Sequence, residues 1–365
     1  MKTIYMYALS IRNLEKLLPI CKVLSKYRNI DVKVLAAPFQ TELLLRNNIS
    51  YIDLAKFSTI KMSETSEWTL ALTPILDLLA QKPCDLFFTT EEAYIGRNIL
   101  LYCKEQGIST IVYQSVNFVD MEQYFFTPFE GDAFFTWGEQ GKAKLVSWGC
   151  NESKIEVTGG AHTDNLKDAP QIRRNLKDEF NIPDGKRHML FVIPNTTGTP
   201  ISEIAFALKA ISEFCASNEF ALIVKPHPAT SGQEMQKIRE SLTNSDVIYN
   251  SSKYSTQELI CSCNAFASFT SSTIMDAICC GKPCFIFAWP VATDLDATVK
   301  DEYVIAKNVK DVKAALADFK LLINNDIPKT EIAARLLNGP NDGKAAERIA
   351  NNIIKFLQVE GLVKL

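Results

Sequence analysis

Two residues that could bind a phosphate lie at the end of a predicted β-strand in the second half of the sequence. Lys225 ends the predicted strand Phe220–Lys225, and His227 follows it between prolines at positions 226 and 228. Proline fixes its own backbone and restricts that of the residue before it, so the imidazole has little freedom of direction. Such a histidine can donate a hydrogen bond to a phosphate oxygen, and Lys225 adds positive charge. The alternative is a turn histidine that bonds a neighbouring backbone group.

A second phosphate-binding pattern is a run of three hydroxyl residues, Ser271, Ser272 and Thr273. It follows the predicted strand Ala265–Phe269 and begins a predicted helix that extends to Cys280. A helix start presents backbone N–H groups that have no helical partner, and its dipole favours an anion. The hydroxyl and N–H groups together predict a phosphate site here. The alternative is a serine helix cap with no ligand.

Polar residues also occur near two other predicted strands. Asn195 and Thr196 lie in a glycine-containing loop after the predicted strand His188–Ile193, and we expect them to line the ligand site opposite the phosphate. Tyr254 lies between a short predicted strand and a helix, and it is a candidate for contact with a nucleotide base. Open α/β sheets bind ligands beyond the carboxyl ends of their strands, so these loops are expected at one edge.

The segments that position these residues alternate between strand-like and helix-like runs. The alternation begins with a predicted strand at residues 3–9 and predicts parallel β-α-β units in both halves. A turn pattern at Ile182-Pro183-Asp184-Gly185 separates the halves. Ser255 and Glu258 have the spacing of a capping box and predict a helix start between the phosphate-binding segments. The sequence therefore predicts an α/β protein with two Rossmann-like, doubly wound parallel-sheet domains that face a cleft.

Three segments follow from this division. Residues 1–165 are predicted to form an N-terminal, acceptor-side Rossmann-like domain. Residues 166–340 are predicted to form a C-terminal Rossmann-like domain that binds a nucleotide sugar, and residues 341–365 a C-terminal helix that crosses back to the N-terminal domain. A chain of 365 residues is long enough for two domains of ordinary size, each with its own core.

The composition excludes several classes of protein. Hydrophobic residues make up 47% and charged residues 22% of the chain, as in a soluble globular enzyme. A net charge of -3 argues against a nucleic-acid binder, because such proteins carry strongly basic surfaces. No apolar stretch reaches the roughly 20 residues that span a bilayer, and no signal peptide is evident. A cytoplasmic protein is expected, and peripheral contact with the inner face of the cytoplasmic membrane is left open.

The ten cysteines are scattered without a disulfide framework, and we expect them to be reduced and buried. Neither Cys261-x-Cys263 nor Cys280-x-x-x-Cys284 has the spacing of a zinc knuckle, and the sequence has only three histidines. Asp294-Leu295-Asp296 has the spacing of a metal-binding motif, but it lies in a loop that the pattern does not place. We therefore expect no metal and no cofactor besides a nucleotide-sugar donor.

An ordered set of motifs resembles bacterial surface-polysaccharide transferases of the GT-B fold. The motifs are Trp137-Gly138-Glu139, Gly149, Lys154-Ile155-Glu156-Val157-Thr158-Gly159, Lys225-Pro226-His227-Pro228, Ser271-Ser272 and Gly281-Lys282-Pro283. Sialyltransferases, capsule Kdo transferases and teichoic-acid glycerophosphotransferases of this group share the His-Pro and Ser-Ser motifs, which bind the donor phosphate. The resemblance implies the same role for His227, Ser271 and Ser272, with a cytidine nucleotide in the donor.

The resemblance implies a glycosyltransferase, and the lack of an Asp-x-Asp motif at a predicted strand end predicts that it is metal-independent. It would move an acidic sugar, such as a nonulosonic acid or Kdo, from a CMP-linked donor to a surface polysaccharide or glycolipid, as in capsule or lipopolysaccharide assembly.

Three alternatives are open. A CDP-glycerol-type phosphotransferase is one, but such relatives carry a His-Gly dipeptide where this chain reads Val112-Tyr113-Gln114-Ser115-Val116-Asn117. A UDP-sugar 2-epimerase is another, but those relatives carry Ser-Gly-Gly where this chain has Ser271-Ser272-Thr273. The third is a non-catalytic partner in an export or assembly complex.

Acidic residues in the first half are the candidates for catalysis, because a transferase needs a base or a nucleophilic carboxylate. Glu91 and Glu92 follow the predicted strand Asp85–Thr89, and only one of two adjacent residues on an extended segment can face the ligand. Asp120 and Glu122 are further candidates for the same role.

Two residues of the first half are expected to contact the sugar. Arg12 lies in the predicted loop after the first strand, where its guanidinium can pair with the carboxylate of an acidic sugar. Gln114 lies at the end of the predicted strand Thr110–Gln114, at the edge where ligands bind.

Overall fold

The structure, a computed structural model, falls into two compact units. It describes residues 1–57, 72–90, 95–115, 123–126, 128–167, 174–196, 198–228, 230–240, 247–249, 254–289, 303–324 and 331–358. Unit 1 consists of Met1–Asp164 together with Arg335–Leu365, and unit 2 consists of Asn165–Ala334. Each unit contains its own parallel sheet.

In the described residues of unit 1, seven parallel strands form one sheet. They are β1 (Lys2–Tyr7), β2 (Ile30–Ala36), β3 (Tyr51–Asp53), β4 (Leu86–Thr89), β5 (Ser109–Tyr113), β6 (Ala133–Thr136) and β7 (Ile155–Val157). Their order is β3-β2-β1-β4-β5-β6-β7. Strands β2 and β3 therefore lie on one side of β1, and strands β4 to β7 lie on the other. In open sheets, ligands bind beyond the carboxyl ends of the strands at such a switch.

The helices of unit 1 lie between these strands in the sequence. They are α1 (Ile11–Leu24), α2 (Thr41–Arg46), α3 (Leu72–Gln81), α4 (Ile95–Glu105), α5 (Gln123–Phe126) and α6 (Glu139–Ser147), and α7 (Asp164–Lys167) begins where unit 1 passes into unit 2. Phe87 and Phe88 show that both faces of the sheet are covered, because neighbouring strand residues point to opposite faces and both rings are fully buried. Each such ring stabilises the fold by about 1.5–3 kcal/mol.

Unit 2 has a six-stranded parallel sheet in its described residues. Its strands are β8 (Arg187–Val192), β9 (Phe220–Lys225), β10 (Val247–Tyr249), β11 (Ala265–Phe269), β12 (Cys284–Phe287) and β13 (Tyr303–Ala306). Its helices are α8 (Leu176–Glu179), α9 (Ile201–Ser217), α10 (Gly232–Glu240), α11 (Thr256–Ser262), α12 (Thr273–Cys279) and α13 (Val312–Asn324). The strand order β10-β9-β8-β11-β12-β13 places a second topological switch between β8 and β11.

The two doubly wound sheets confirm the predicted α/β class. The predicted limits of β9 and β11 coincide with those in the structure. The predicted capping box of α11 is also present, because the Ser255 hydroxyl accepts the Glu258 N–H at 3.2 Å and the Glu258 carboxylate accepts the Ser255 N–H at 2.8 Å. Strands β7 and β13 and helix α13 were not predicted.

The end of the chain packs against unit 1. Helix α14 (Ile332–Asn338) contains the second division point between the units, and α15 (Ala345–Phe356) packs on α1. The predicted boundary at residue 341 lies later than the observed return to unit 1 at Arg335. The backbone of α14 passes so close to Gly138 that a Cβ there would overlap the Leu336 carbonyl oxygen.

A partly buried carboxylate and a buried amide attach this last segment to the rest of unit 1. Asp164 accepts the backbone N–H groups of Ala345 and Ala346 at 2.8 and 2.7 Å, so it caps the start of α15 from a distant part of the sequence. Burial raises the pKa of Asp164, although these two N–H groups favour its charged form. Asn338 accepts the Gly160 N–H at 2.6 Å and donates to the Thr163 hydroxyl at 2.8 Å.

Nine of the ten cysteines are buried, which confirms that they pack as small apolar side chains. Within the ranges described above, no helix combines the length and the apolar character needed to cross a bilayer.

The substitution Asp164→Ala should lower the free energy of unfolding by about 1–2 kcal/mol, because α15 then loses the acceptor for its first N–H groups. Urea unfolding followed by circular dichroism measures this loss. Asp77→Ala is the matched control, since Asp77 is exposed on α3 in the same unit and its removal should change stability by less than about 0.5 kcal/mol. Equal effects of the two substitutions would contradict the capping role.

Candidate functional site

Three polar loops of unit 2 begin at the same level of its sheet. Val192, the last residue of β8, is paired with Lys225 of β9 on one side and with Ser268 of β11 on the other. The Ser268 hydroxyl also donates to the Val192 carbonyl at 3.1 Å. All three strands are parallel, so the loops after them leave the sheet at its carboxyl edge, on both sides of the topological switch.

Lys225 and His227 form the first loop. The Lys225 ammonium donates to the Tyr254 carbonyl at 2.8 Å, which uses one of its three N–H donors. Burial lowers the pKa of Lys225, and the Glu258 carboxylate opposes that shift. His227 is partly buried, and its carbonyl accepts the Thr230 N–H at 2.9 Å. Two hydrogen bonds therefore stabilise the turn after β9. The bond between His227 and Thr230 closes the turn, and the bond from Lys225 connects it to the segment before α11.

The hydroxyl residues of the second loop have different surroundings. The Ser271 hydroxyl lies 3.0 Å from the Thr273 hydroxyl and accepts the Thr273 N–H at 3.3 Å, so Ser271 caps the first N–H of α12 from one residue before the N-cap position, which Ser272 occupies. Ser272 makes no such capping bond. Helix α12 is only seven residues long and ends at Cys279, and Gly281 follows two residues later with a φ of +65° that favours glycine. Of the two serines, Ser272 has the hydroxyl that the helix start does not use.

Asn195 and Thr196 lie in the third loop, between the other two. The Asn195 carbonyl accepts the Gly198 N–H at 3.2 Å, which makes a tight turn after β8. The Thr196 hydroxyl bonds to Glu234 on α10, and this bond helps Ser231 to lower the pKa of Glu234. Thr196 therefore joins the loop to α10, while Asn195 remains at the carboxyl edge of the central strand.

Arg12 and Gln114, the predicted sugar contacts, lie in unit 1. Arg12 is exposed in the first turn of α1 rather than in a loop, because Ser10 caps that helix one residue before Ile11. Gln114 is only 4% exposed, and its side-chain oxygen accepts the Trp137 N–H at 2.8 Å. The Gln114 N–H donates to the Phe135 carbonyl at 2.9 Å. Gln114 thus joins the ends of β5 and β6.

The proposed catalytic acids are not placed by the structure. Glu91, Glu92, Asp120 and Glu122 lie outside the described residues, as does the Asp294-Leu295-Asp296 motif. Their roles stay predictions. In the part of the chain that is described, no group of three or more histidine, cysteine or acidic residues is arranged to hold a metal ion.

A cluster that was not predicted from the sequence lies near the carboxyl edge of the unit 1 sheet. The Lys16 ammonium donates to the Ser115 carbonyl and lies 5.2 Å from the centre of the Trp137 ring. The His162 and Trp137 rings are 5.0 Å apart. Burial, helped by the charge of Lys16, lowers the pKa of His162 to about 3. In the sequence, the spacing of four residues between Arg12 and Lys16 indicates only that both lie on one face of a helix. The contacts of Lys16 with Trp137 and of Trp137 with His162 depend on the fold.

Comparison with known proteins identifies the family. The sequence model of the family described as CDP-Glycerol:Poly(glycerophosphate) glycerophosphotransferase matches residues 143–355. This chain belongs to that family. The match covers more than half of the chain and includes all three loops of unit 2. The comparison with curated proteins found no match.

Solved structures of low sequence identity share the fold. The S. aureus MnaA-UDP co-structure has 16% identity and a TM-score of 0.72, and the match covers 98% of this chain and 97% of that one. UDP-GlcNAc 2-epimerase from Neisseria meningitidis, bound to UDP-GlcNAc, has 18% identity and a TM-score of 0.69, with 97% and 100% covered. A glycosyltransferase from Rickettsia africae has 12% identity and a TM-score of 0.64, with 97% and 99% covered.

Together these findings establish a transferase-family enzyme with a GT-B-like fold of two Rossmann-like units. They give no support to the predicted CMP-linked acidic sugar. Instead, the family match favours the CDP-glycerol alternative, against which the absence of a His-Gly dipeptide had counted.

The two serines should differ in their effect on stability. Ser271→Ala removes the cap of α12 and should lower the free energy of unfolding by about 1 kcal/mol. Ser272→Ala removes no capping bond and should change it by less than about 0.5 kcal/mol. Urea unfolding of both variants measures the difference, and a larger loss for Ser272→Ala would show that the capping assignment is wrong.

His162 should make the protein less stable in mild acid. Its folded pKa of about 3 lies below the ordinary value of 6.5, so the unfolded chain binds the extra proton between these pH values. Stability is therefore lost as the pH falls through 6.5, by at most about 2 kcal/mol between pH 7 and pH 5. Urea unfolding at both pH values should show a smaller loss for His162→Phe than for the unmodified protein. Equal losses would contradict this role.

Proposed function

We propose that this chain transfers a glycerol-phosphate-type group from a cytidine diphosphate ester and binds the donor phosphates in unit 2. His227 and Ser272 are the leading phosphate ligands, with Lys225, Ser271, Thr273, Asn195 and Thr196 around them. The observation that carries this proposal is the pairing of Val192 with both Lys225 and Ser268, which aligns three polar loops at one topological switch.

The spacing of the strands supports one shared phosphate site. Neighbouring strands lie about 4.8 Å apart, so the backbones of Lys225 and Ser268 are separated by roughly 10 Å across Val192. His227 follows Lys225 by two residues, and Ser272 follows Ser268 by four. The two residues thus follow strands on either side of β8, and the proposal places a diphosphate between them, bound from both ends.

The chemistry proposed for this site is a phosphoryl transfer. A hydroxyl group of the acceptor attacks the distal phosphorus of the donor, a new P–O bond forms, and the P–O bond to CMP breaks. Negative charge develops on the departing CMP, where hydrogen bonds from His227 and Ser272 and the charge of Lys225 would stabilise it. No metal takes part in this proposal.

The acceptor hydroxyl must also lose a proton. Gln114 occupies the region where glycerophosphotransferase-like relatives carry a His-Gly histidine, and its amide cannot act as a base. We therefore keep Glu91, Glu92 and Asp120 as the proposed bases. Arg12 is exposed in unit 1 and is a candidate to bind an anionic acceptor, which would be a surface glycan or glycolipid.

A second candidate function is the binding and epimerisation of a UDP-sugar. It is favoured by two neighbours of similar fold whose structures contain UDP or UDP-GlcNAc. A CMP-linked acidic sugar would use the same histidine and serines. The three donors are distinguished by the base that binds and by the product released.

The unmodified protein should bind CDP more tightly than UDP in calorimetry, and it should release CMP from CDP-glycerol when a polyol-phosphate acceptor is present. His227→Ala should weaken CDP binding by about tenfold to a hundredfold, as expected for a hydrogen bond to a charged group. Ser272→Ala should weaken it by about threefold to tenfold.

Ser217→Ala is the matched control, because Ser217 ends α9 before β9 begins and so lies at the opposite edge of the sheet. It should leave the affinity unchanged. Tighter binding of UDP, with interconversion of UDP-GlcNAc and no acceptor present, would favour the epimerase. Release of CMP from a CMP-linked acidic sugar but not from CDP-glycerol would restore the glycosyltransferase prediction.

A further inference from the structure

Two thiols of unit 2 point at each other. Cys261 lies in the last turn of α11 and Cys280 directly follows α12, and their sulfur atoms are 3.3 Å apart. A disulfide bond is about 2.05 Å long, so the two sulfur atoms need to approach by only about 1.3 Å to form one. Cys263, by contrast, directs its thiol to the Ile260 carbonyl at 3.3 Å.

The two cysteines differ in exposure, and a cation lies beside them. Cys261 is only 1% exposed, whereas Cys280 is partly exposed. The Lys282 ammonium donates to the carbonyl groups of Cys261 and Cys263 at 3.1 and 2.6 Å. Reagents from solvent therefore reach Cys280 first, with a positive charge nearby and a second thiol behind it.

We propose that Cys261 and Cys280 form a dithiol site, which hydrogen peroxide oxidises to an intramolecular disulfide. The Cys280 thiolate attacks one peroxide oxygen, an S–O bond forms, the O–O bond breaks, and hydroxide leaves. The sulfur is oxidised to a sulfenic acid and the peroxide is reduced. The Cys261 sulfur then attacks the Cys280 sulfur, an S–S bond forms, and hydroxide leaves and takes up the thiol proton as water.

The reaction should be slow at neutral pH and faster in mild base. The pKa of the Cys280 thiol is raised by the hydrogen bond with Cys261 and by burial, while the positive charge of Lys282 opposes the shift. Since only the thiolate attacks peroxide, raising the pH should increase the rate of oxidation.

The disulfide would connect two helices that reach the proposed phosphate edge. Helix α11 begins next to Tyr254, whose carbonyl is bonded to Lys225, and α12 begins at the Ser271–Thr273 loop. Each helix has seven residues, so it spans about 10 Å between the thiols and that edge. Gln257 and Asp276 also connect the helices, at 3.5 Å. If unit 2 binds the donor as proposed, oxidation should weaken that binding.

Peroxide treatment of the whole chain, followed by mass spectrometry, tests the dithiol site. The expected result is the loss of two hydrogen atoms from the intact mass, a Cys261–Cys280 cross-linked peptide, faster formation at pH 9 than at pH 7, and reversal by dithiothreitol. Cys280→Ser and Cys261→Ala should abolish the cross-link, and circular dichroism verifies that each variant is folded.

Cys263→Ser is the matched control and should form the cross-link as the unmodified protein does. Sulfinic or sulfonic acid at Cys280 without a cross-link, a cross-link between other cysteines, or no oxidation at all would overturn the proposal.

Calorimetry with CDP before and after oxidation tests the connection to the nucleotide edge separately. We expect the Kd for CDP to be at least threefold higher in the oxidised protein and to return to its original value after reduction. Peroxide treatment should not change the Kd of Cys280→Ser. A disulfide that forms without changing the Kd would uphold the dithiol site and overturn the connection. If the reduced protein binds no nucleotide, the proposed function fails, while peptide mapping still decides whether the dithiol site exists.

Discussion

Backbone hydrogen bonding along both sides of β8 is the constraint on which the candidate site depends. Val192 is paired with β9 and β11 at once, and the Ser268 hydroxyl reinforces the second pairing. In a parallel sheet this register sets the level at which each following loop leaves the edge. A slip of one residue in either neighbour would turn the last side chains of that strand to the opposite face. The alignment of Lys225 with Ser268, from which the loops of His227 and Ser272 continue, is thus a property of the sheet.

Polar residues that are proposed to bind the donor also stabilise the fold. Ser271 caps α12, Thr196 bonds to Glu234, and Lys225 bonds to the Tyr254 carbonyl. Partly buried polar atoms are costly unless they are bonded, so these residues stabilise the loops that present His227 and Ser272. The sequence pattern cannot separate the two roles, because both need the same residue types at the same strand ends.

The last segment of the chain shows how distant residues complete unit 1. Asp164 provides acceptors for the start of α15, and Asn338 bonds to the turn at Gly160. Without these bonds, the buried N–H groups of Ala345, Ala346 and Gly160 would have no acceptor. The free-energy penalty for a buried, unpaired N–H group is larger than the net contribution of the hydrogen bond itself. The predicted return of the terminal helix rested on architecture, whereas the structure shows the bonds that produce it.

Local patterns in the sequence determined the α/β class, the limits of β9 and β11, the capping box at Ser255 and the loops that carry His227 and Ser271–Thr273. These features depend on periodicity, turn residues and helix caps, which neighbouring residues encode. Only the tertiary structure decided that Ser271 is a cap, that Gln114 joins two strands, that Lys16 meets Trp137 and that Cys261 faces Cys280. Each of these depends on side-chain packing and strand register, which no local spacing in a single sequence specifies.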